Sequence, residues 1–131
     1  MVIVDTSVWI DYLRGRVTPQ TSWLDTRMDL QRLALIDLIL CEVLQGVSDD
    51  SQVVRVEDQL RKLIIFDTGG ISLAVATARN YRSLRSRGKT TRKVVVCLIA
   101  TYCLTHDHSL LHNDRDFDAF EEFLGLKVIH P

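Results

Sequence analysis

The sequence has few cysteines, no excess of charge of one sign and no long hydrophobic run, and each of these shortages removes a class of protein. Its three cysteines, Cys41, Cys97 and Cys103, are odd in number and widely spaced, which fits neither a disulfide framework nor a zinc site. The formal net charge of −1 excludes a polybasic nucleic-acid binder, so any contact with nucleic acid must use a local patch. No apolar run approaches the roughly 18 residues that a membrane span needs.

The N-terminal segment and the composition indicate one cytoplasmic domain. MVIVDTS reaches Asp5 with no basic stretch and no long apolar stretch before it, so we expect no signal peptide. The length of 131 residues and the 47% hydrophobic content predict a single domain spanning residues 1–131. We expect all three cysteines to be small buried side chains in a reducing compartment.

Short apolar runs alternate with helical patterns along the chain. Candidate helices lie near 8–13, from Thr18 and Pro19 onward, at 38–46, after 48–50, and at 71–87, 94–105 and 119–124. Candidate strands lie at 2–4, 33–36, 64–66, 109–111 and 127–129. This alternation predicts an α/β fold, a three-layer α/β/α domain with a central, mostly parallel sheet. In such sheets, sites form beyond the carboxyl ends of the strands.

Acidic residues occupy positions where a site is expected. Asp5 directly follows the first candidate strand, and Asp114 and Asp116 follow the fourth. Glu42 lies within the apolar segment LILCEVLQG, where an unpaired carboxylate is unfavourable. Taken singly, each aspartate could be a helix cap, and Glu42 could belong to a structural ion pair.

Taken together, these acids suggest one pocket that binds a divalent cation. Carboxylates packed closely repel one another unless a cation neutralises them. Oxygen-only ligands favour Mg²⁺ or Mn²⁺ over zinc. An aspartyl-phosphate phosphatase is disfavoured, because that chemistry commonly needs a second aspartate two residues after the first, and Ser7 stands there.

Three segments, MVIVDTSVWIDYL, LCEVLQG and LLHNDRDFDAF, resemble the PIN-domain ribonucleases, and most closely the VapC toxins of toxin–antitoxin pairs. The resemblance covers essentially the whole chain. It implies a Mg²⁺- or Mn²⁺-dependent endoribonuclease that cleaves a tRNA or a ribosomal RNA. It also implies that the catalytic and metal-binding residues are Asp5, Glu42, Asp114 and Asp116, with Thr6 hydrogen-bonding within the pocket.

The resemblance further implies protein partners. It predicts a VapB-like antitoxin that blocks the active site, and a homodimer. Trp9, Tyr12 and Leu13, near the first helix, are the candidate antitoxin contacts. Large apolar side chains of this kind are more often part of the core, and that alternative stays open.

The chain departs from the family pattern at Val96. The pattern T-x-R-x-x-x-D-x-L-I-A aligns with Thr90, Arg92 and the segment from Leu98, which places an expected acidic metal ligand at Val96. We favour a selected or engineered inactivation over a natural variant, because one nucleotide change converts an aspartate codon to valine and an active toxin harms its host. The rival function is a non-catalytic module that binds antitoxin or RNA.

Basic residues without any intervening acid run from Arg79 to Lys93. We predict that Arg82, Arg85 and Arg92 contact RNA phosphates, because RNA needs cations beside a site that otherwise repels it. A solvated helix face is the alternative. We also expect His112 to lie near the pocket mouth and touch the substrate.

Overall fold

The computed structural model describes residues 1–30, 32–91 and 93–131, and a single parallel sheet lies at its centre. The sheet order is β3-β2-β1-β4. Its strands are β1 (Val2–Val4), β2 (Leu33–Ile36), β3 (Ile64–Phe66) and β4 (Ser109–Leu111). These are the first four candidate strands with the predicted bounds, and all three strand pairings are parallel.

Helices connect the strands in the described part of the chain. They are α1 (Thr6–Leu13), α2 (Pro19–Arg27), α3 (Asp37–Gly46), α4 (Val53–Leu60), α5 (Ile71–Ser86), α6 (Val94–His106) and α7 (Asp118–Leu124). Local sequence explains their ends. Thr18 caps α2 by accepting a hydrogen bond from the Thr21 N–H, and Gly125 ends α7 in the left-handed region at φ 78°. Of these helices, none combines the length and apolar character needed to cross a bilayer.

The core covers both sides of the central strands. Every residue of β1 and β2 is buried, as expected for strands that have helices on both faces. Helix α6 is apolar around most of its circumference and contributes Cys97, Ile99 and Cys103 to this core. The predicted α/β/α architecture with a parallel sheet is confirmed.

Two sequence-based expectations were wrong in detail. The segment 127–129 does not form a full strand, because it pairs with β4 only at Leu110, whose N–H donates to the Lys127 carbonyl and whose carbonyl accepts from the Ile129 N–H. Cys41 is exposed, because it lies on the outer side of α3, whereas Cys97 and Cys103 are buried as predicted.

Candidate active site

Asp5 begins the candidate site at the carboxyl end of β1. Its N–H donates to the Leu111 carbonyl at 2.9 Å, which brings the segments that follow β1 and β4 to the same sheet edge. Its Oδ2 accepts from the Ser7 N–H at 3.0 Å and from the Ser7 hydroxyl at 2.6 Å. Asp5 therefore caps α1, and the same side chain also lines a cavity.

The Asp5 carboxyl group is in an unfavourable place for a charge. The residue is only 4% exposed, and its side-chain hydrogen bonds come from the neutral Ser7. Burial raises the pKa of Asp5 to about 6, and the nearby Glu42 carboxylate adds to the rise, while the Ser7 hydrogen bonds oppose it. An acid with a raised pKa in a cavity is a candidate functional group.

Glu42 meets Asp5 from α3. Its Oε1 accepts a hydrogen bond from the Thr6 hydroxyl at 2.7 Å, which fixes the carboxylate relative to the start of α1. The sequence-based proposal that Thr6 hydrogen-bonds within the pocket corresponds to this contact. Glu42 is half-buried and makes this bond to a hydroxyl group, so the bond itself provides no cation to neutralise the carboxylate.

One cavity of about 450 Å³ unites these groups with the loop after β4. Asp5, Glu42 and Asp114 all line it, so the structure brings together three of the four predicted carboxylates. The remaining lining comes from Thr6, Ser7, Lys93, Val94, Val95, Val96 and Ile99. Acids from two strand ends and one helix therefore converge, as the sequence-based hypothesis required.

Asp116 lies beside this cavity and lines a neighbouring one. The Lys93 ammonium connects the two acids of the loop, since its Nζ is 3.3 Å from Asp114 Oδ2 and 3.6 Å from Asp116 Oδ2. The Asp114 carboxylate, more than that of Asp116, raises the pKa of Lys93. Asp114 Oδ1 also accepts from the Asp116 N–H at 3.0 Å, which caps the helical turn Arg115–Phe117.

Val96 lines the same cavity as Asp5, Glu42 and Asp114. It lies in the first turn of α6 and is 5% exposed. The position where the family pattern has an acid therefore faces the carboxylates, and here it contributes an apolar wall.

Comparison with known families and structures agrees with this geometry. Residues 2–122 match the PIN domain. The chain belongs to the PIN-domain family. Within it, the chain is 30% identical to the VapC ribonuclease Mb1587 of Mycobacterium bovis and to ribonuclease VapC11 of Mycobacterium tuberculosis, over 98% of this chain and 97% of each relative. The resemblance seen in the sequence motifs is confirmed.

Solved structures share the PIN fold at lower sequence identity. VapBC2 from Rickettsia felis, bound to a DNA fragment from its own promoter, has a TM-score of 0.77 and 16% identity, with 98% of each chain covered. FitAcB from Neisseria gonorrhoeae has a TM-score of 0.75 and 20% identity, covering 100% of this chain and 98% of that one. At these identities the likeness concerns the fold alone.

Ser7 and Asn113 are site residues of this PIN domain that sequence reasoning missed. The Ser7 hydroxyl donates to Asp5 and accepts from the Asn113 N–H at 3.0 Å, so it joins the two strand ends. Asn113 also donates through Nδ2 to Asp11 Oδ2 at 3.4 Å. The available signal was the position of Ser7 two residues after Asp5, which the sequence analysis used only to disfavour a phosphatase.

His112 does not lie at the pocket mouth. It is 8% exposed, its Nδ1 accepts from the Asp114 N–H at 3.1 Å, and its ring packs on Phe117 with centroids 4.8 Å apart. Burial lowers the pKa of His112, which favours the neutral ring that accepts this bond. The expected contact with substrate is therefore corrected: His112 supports the loop that carries Asp114.

Two of the three arginines that the sequence analysis predicts to contact RNA lie within the described residues. Arg82 and Arg85 are exposed on α5 and line a separate groove, while Arg92 lies outside the described residues. The Arg85 guanidinium lies 5.8 Å from the centre of the Tyr81 ring. The role of these arginines in RNA binding stays a prediction.

The three candidate antitoxin contacts differ in accessibility. Trp9 is 3% exposed and packs in the core, edge-on to the Tyr12 ring at 6.2 Å, so the core alternative holds for Trp9. Tyr12 is half-buried, and Leu13 is 44% exposed and lines a cavity of about 490 Å³ with Ile10 and Val56. Of these three candidates, Tyr12 and Leu13 offer surface to a partner.

Proposed function

We propose that this chain is an endoribonuclease toxin whose activity depends on a divalent cation and is weakened by Val96. The observation that carries the proposal is one cavity lined by Asp5, Glu42 and Asp114 at the carboxyl edge of the sheet, with Val96 in its wall. Membership of the PIN-domain family and the VapC ribonuclease relatives support RNA as the substrate.

The donor set fits a hard divalent cation, although incompletely. Asp5, Glu42 and Asp114 offer only oxygen ligands, which suit Mg²⁺ or Mn²⁺. The raised pKa of Asp5 marks a buried carboxylate whose charge a bound cation would stabilise. Among residues 1–30, 32–91 and 93–131, however, no group of three acids, histidines or cysteines lies close enough to hold a metal ion. We infer a site of reduced affinity, for which Asp5, Glu42 and Asp114 are the candidate ligands.

The protein's own residues prepare the cavity for a phosphodiester. When bound, Mg²⁺ or Mn²⁺ acts as a Lewis acid toward the scissile phosphate and lowers the pKa of the attacking water. Ser7 orients Asp5, and Thr6 orients Glu42, through the hydrogen bonds described above. Lys93 holds Asp114 and Asp116 together despite their like charges. The catalytic role of Asp116 is proposed as part of this linked pair.

The substrate and partners extend the same proposal. We propose a structured cellular RNA, a tRNA or a ribosomal RNA, as substrate, a cytoplasmic location and a homodimeric toxin. A VapB-like antitoxin is supported by fold neighbours that are toxin–antitoxin complexes, including VapBC2 and a complex from Klebsiella pneumoniae. Tyr12 and the exposed Leu13 are the proposed antitoxin contacts.

A second candidate function is a non-catalytic PIN module that binds antitoxin or RNA. Two observations favour the non-catalytic module. Val96 places an apolar side chain where the motif pattern predicts a carboxylate, and Lys93 forms ion pairs with the carboxylates of Asp114 and Asp116. Such a protein would retain its surfaces and fold without cutting RNA.

The decisive experiment compares RNA cleavage by the antitoxin-free chain and its Val96→Asp variant. Both are incubated with total cellular RNA and Mg²⁺ or Mn²⁺, with EDTA as the metal-free control. We expect discrete cleavage products from Val96→Asp, little or none from the parent chain, and none in EDTA. Equal cleavage by both would show that Val96 does not weaken the site, and cleavage by neither would favour the non-catalytic module.

Two variants serve as matched controls. Val96→Asn adds an oxygen without a charge and should restore less activity than Val96→Asp. Val54→Asp places the same acid on α4, where Val54 is 67% exposed, and should leave the chain as inactive as the parent.

A further inference from the structure

A further cavity, the α5–α6 groove, lies between helices α5 and α6 and has a volume of about 710 Å³. Its lining is mostly apolar and includes Ala74, Ala78 and Leu98. Tyr81 supplies an aromatic ring that is half-buried, and the adjoining Arg85 guanidinium lies over that ring. The groove thus offers a flat aromatic and aliphatic surface with cations beside it.

The charged residues that line the groove are both basic. Arg82 and Arg85 line it and are exposed, and the sequence contains no aspartate or glutamate from Ile71 to His106. The α5–α6 groove is therefore complementary to an anionic ligand. Two copies of this chain docked through the same face would bring arginines together without an acid from either helix to pair with them, which argues against self-association here.

The α5–α6 groove adjoins the carboxylate cavity. Val94 lines both cavities, so they share a wall at the start of α6. A polyanion that placed one phosphate at Asp5 and Asp114 would pass over Val94, and its next residue would enter the groove. Val94 is 66% exposed, which leaves that path open.

The geometry points to the α5–α6 groove as the binding site for an unpaired nucleobase next to the scissile phosphate. The base lies on the apolar floor beside Tyr81, and Arg82 and Arg85 contact the adjoining phosphates. Bases splayed out of single-stranded RNA stack on aromatic side chains and arginine planes in this way, whereas a paired base cannot enter a groove. This inference rests on the proposed ribonuclease function and names unpaired RNA as its substrate class.

Filling the groove without changing its charge tests the inference. Ala78 is exposed in the middle of α5, so Ala78→Leu keeps a good helix former and occupies the floor. Binding of a fluorescent oligouridylate and of an abasic sugar-phosphate oligomer of the same length is measured by anisotropy in EDTA. We expect Ala78→Leu to weaken oligouridylate binding about tenfold, the typical loss for one stacked base, and to leave abasic binding unchanged.

Two further variants distinguish the effect of filling the groove from the effect of its positive charge on oligomer binding. Ser72→Leu adds a similar side chain to α5 at an exposed position outside the groove, and both affinities should remain at the parent values. Arg82→Gln should weaken the binding of both oligomers and reduce its salt dependence. Circular dichroism confirms that each variant is folded.

The outcomes distinguish this inference from the proposed function. If Ala78→Leu binds oligouridylate as the parent does, the groove does not hold a base, and the ribonuclease proposal still stands. If Ala78→Leu instead alters the sedimentation of the protein alone, the groove is an interface between copies, and the inference is overturned. If no variant binds either oligomer, and Val96→Asp cuts no RNA, both proposals fail.

Discussion

The ammonium nitrogen of Lys93 lies 3.3 Å from a carboxylate oxygen of Asp114 and 3.6 Å from one of Asp116. A cation supplied by the protein therefore neutralises part of the acidic cluster. The same cavity has an apolar wall at Val96, the position where the motif pattern predicts an acid. Both features lower the attraction of the cavity for an external divalent cation.

Replacing Lys93 should strengthen cation binding. Lys93→Gln removes the charge that competes for Asp114 and Asp116, so the Kd for Mn²⁺ should fall several-fold in a calorimetric titration. Lys89→Gln, an exposed lysine in the same basic stretch, is the matched control and should change the Kd much less. Weaker Mn²⁺ binding by Lys93→Gln would show that the ammonium supports the site.

The raised pKa of Asp5 predicts a distinct pH dependence of stability. Below about pH 4 both the folded and the unfolded chain hold the proton, and between about pH 4 and pH 6 only the folded chain keeps it. The stability contributed by this group therefore falls as pH rises through that window, and the ionised carboxylate destabilises the fold above it. Asp5→Asn should remove this dependence and raise the free energy of unfolding near neutral pH by about 3 kcal/mol. Urea unfolding in EDTA across this pH range measures it.

An exposed aspartate with the same local bonding provides the control for Asp5. Asp49 accepts hydrogen bonds from the N–H and hydroxyl of Ser51, as Asp5 does from Ser7. Because Asp49 is exposed, these bonds outweigh the effect of burial and the pKa of Asp49 is lowered. Asp49→Asn should therefore change stability in the opposite direction at neutral pH. A loss of stability in Asp5→Asn at every pH would contradict the assignment of burial as the dominant cause.

Ser7 should contribute more to the stability of the fold than a residue that only caps a helix. Ser7→Ala removes the hydroxyl that donates to Asp5 at 2.6 Å and accepts from the Asn113 N–H at 3.0 Å. Leaving these groups without their partner should lower the free energy of unfolding by about 1–3 kcal/mol, measured by urea denaturation. It should also raise the pKa of Asp5 further, because the Ser7 hydrogen bond holds it down.

Ser51→Ala is the matched control for Ser7. It removes a hydroxyl that bonds Asp49 at 2.8 Å on the exposed surface. Its stability should stay within about 0.5 kcal/mol of the parent. Similar losses in both variants would mean that the link from Ser7 to Asn113 adds nothing beyond local capping.

The sheet could be predicted from sequence because its central strands are short, continuous apolar runs between polar breaks. Val2–Val4 and Leu33–Ile36 are buried on both faces, which leaves the sequence no room for polar alternation. The segment 127–129 has similar composition, but it pairs at one residue only, and no local pattern reveals how far a pairing extends.

The convergence of acids was predictable, whereas the bonds within the site were not. Asp5 and Asp114 follow neighbouring parallel strands, so topology alone brings them together. Ser7 and Lys93 depend on side-chain rotamers and on how α6 lies against the loop after β4, which no spacing rule specifies. His112 was expected at the pocket mouth, whereas its ring is buried and its Nδ1 accepts a hydrogen bond from the Asp114 N–H.

The central claim is that Val96 weakens a divalent-cation site built from Asp5, Glu42 and Asp114. The most direct measurement is a calorimetric Mn²⁺ titration of the parent chain, Val96→Asp and Val96→Asn. We predict that Val96→Asp binds Mn²⁺ at least about tenfold more tightly than the parent, because even substitutions outside the ligand set cost about 10–100-fold in metal affinity. Val96→Asn should fall between the two. Tight Mn²⁺ binding by the parent chain, unchanged in Val96→Asp, would contradict the account.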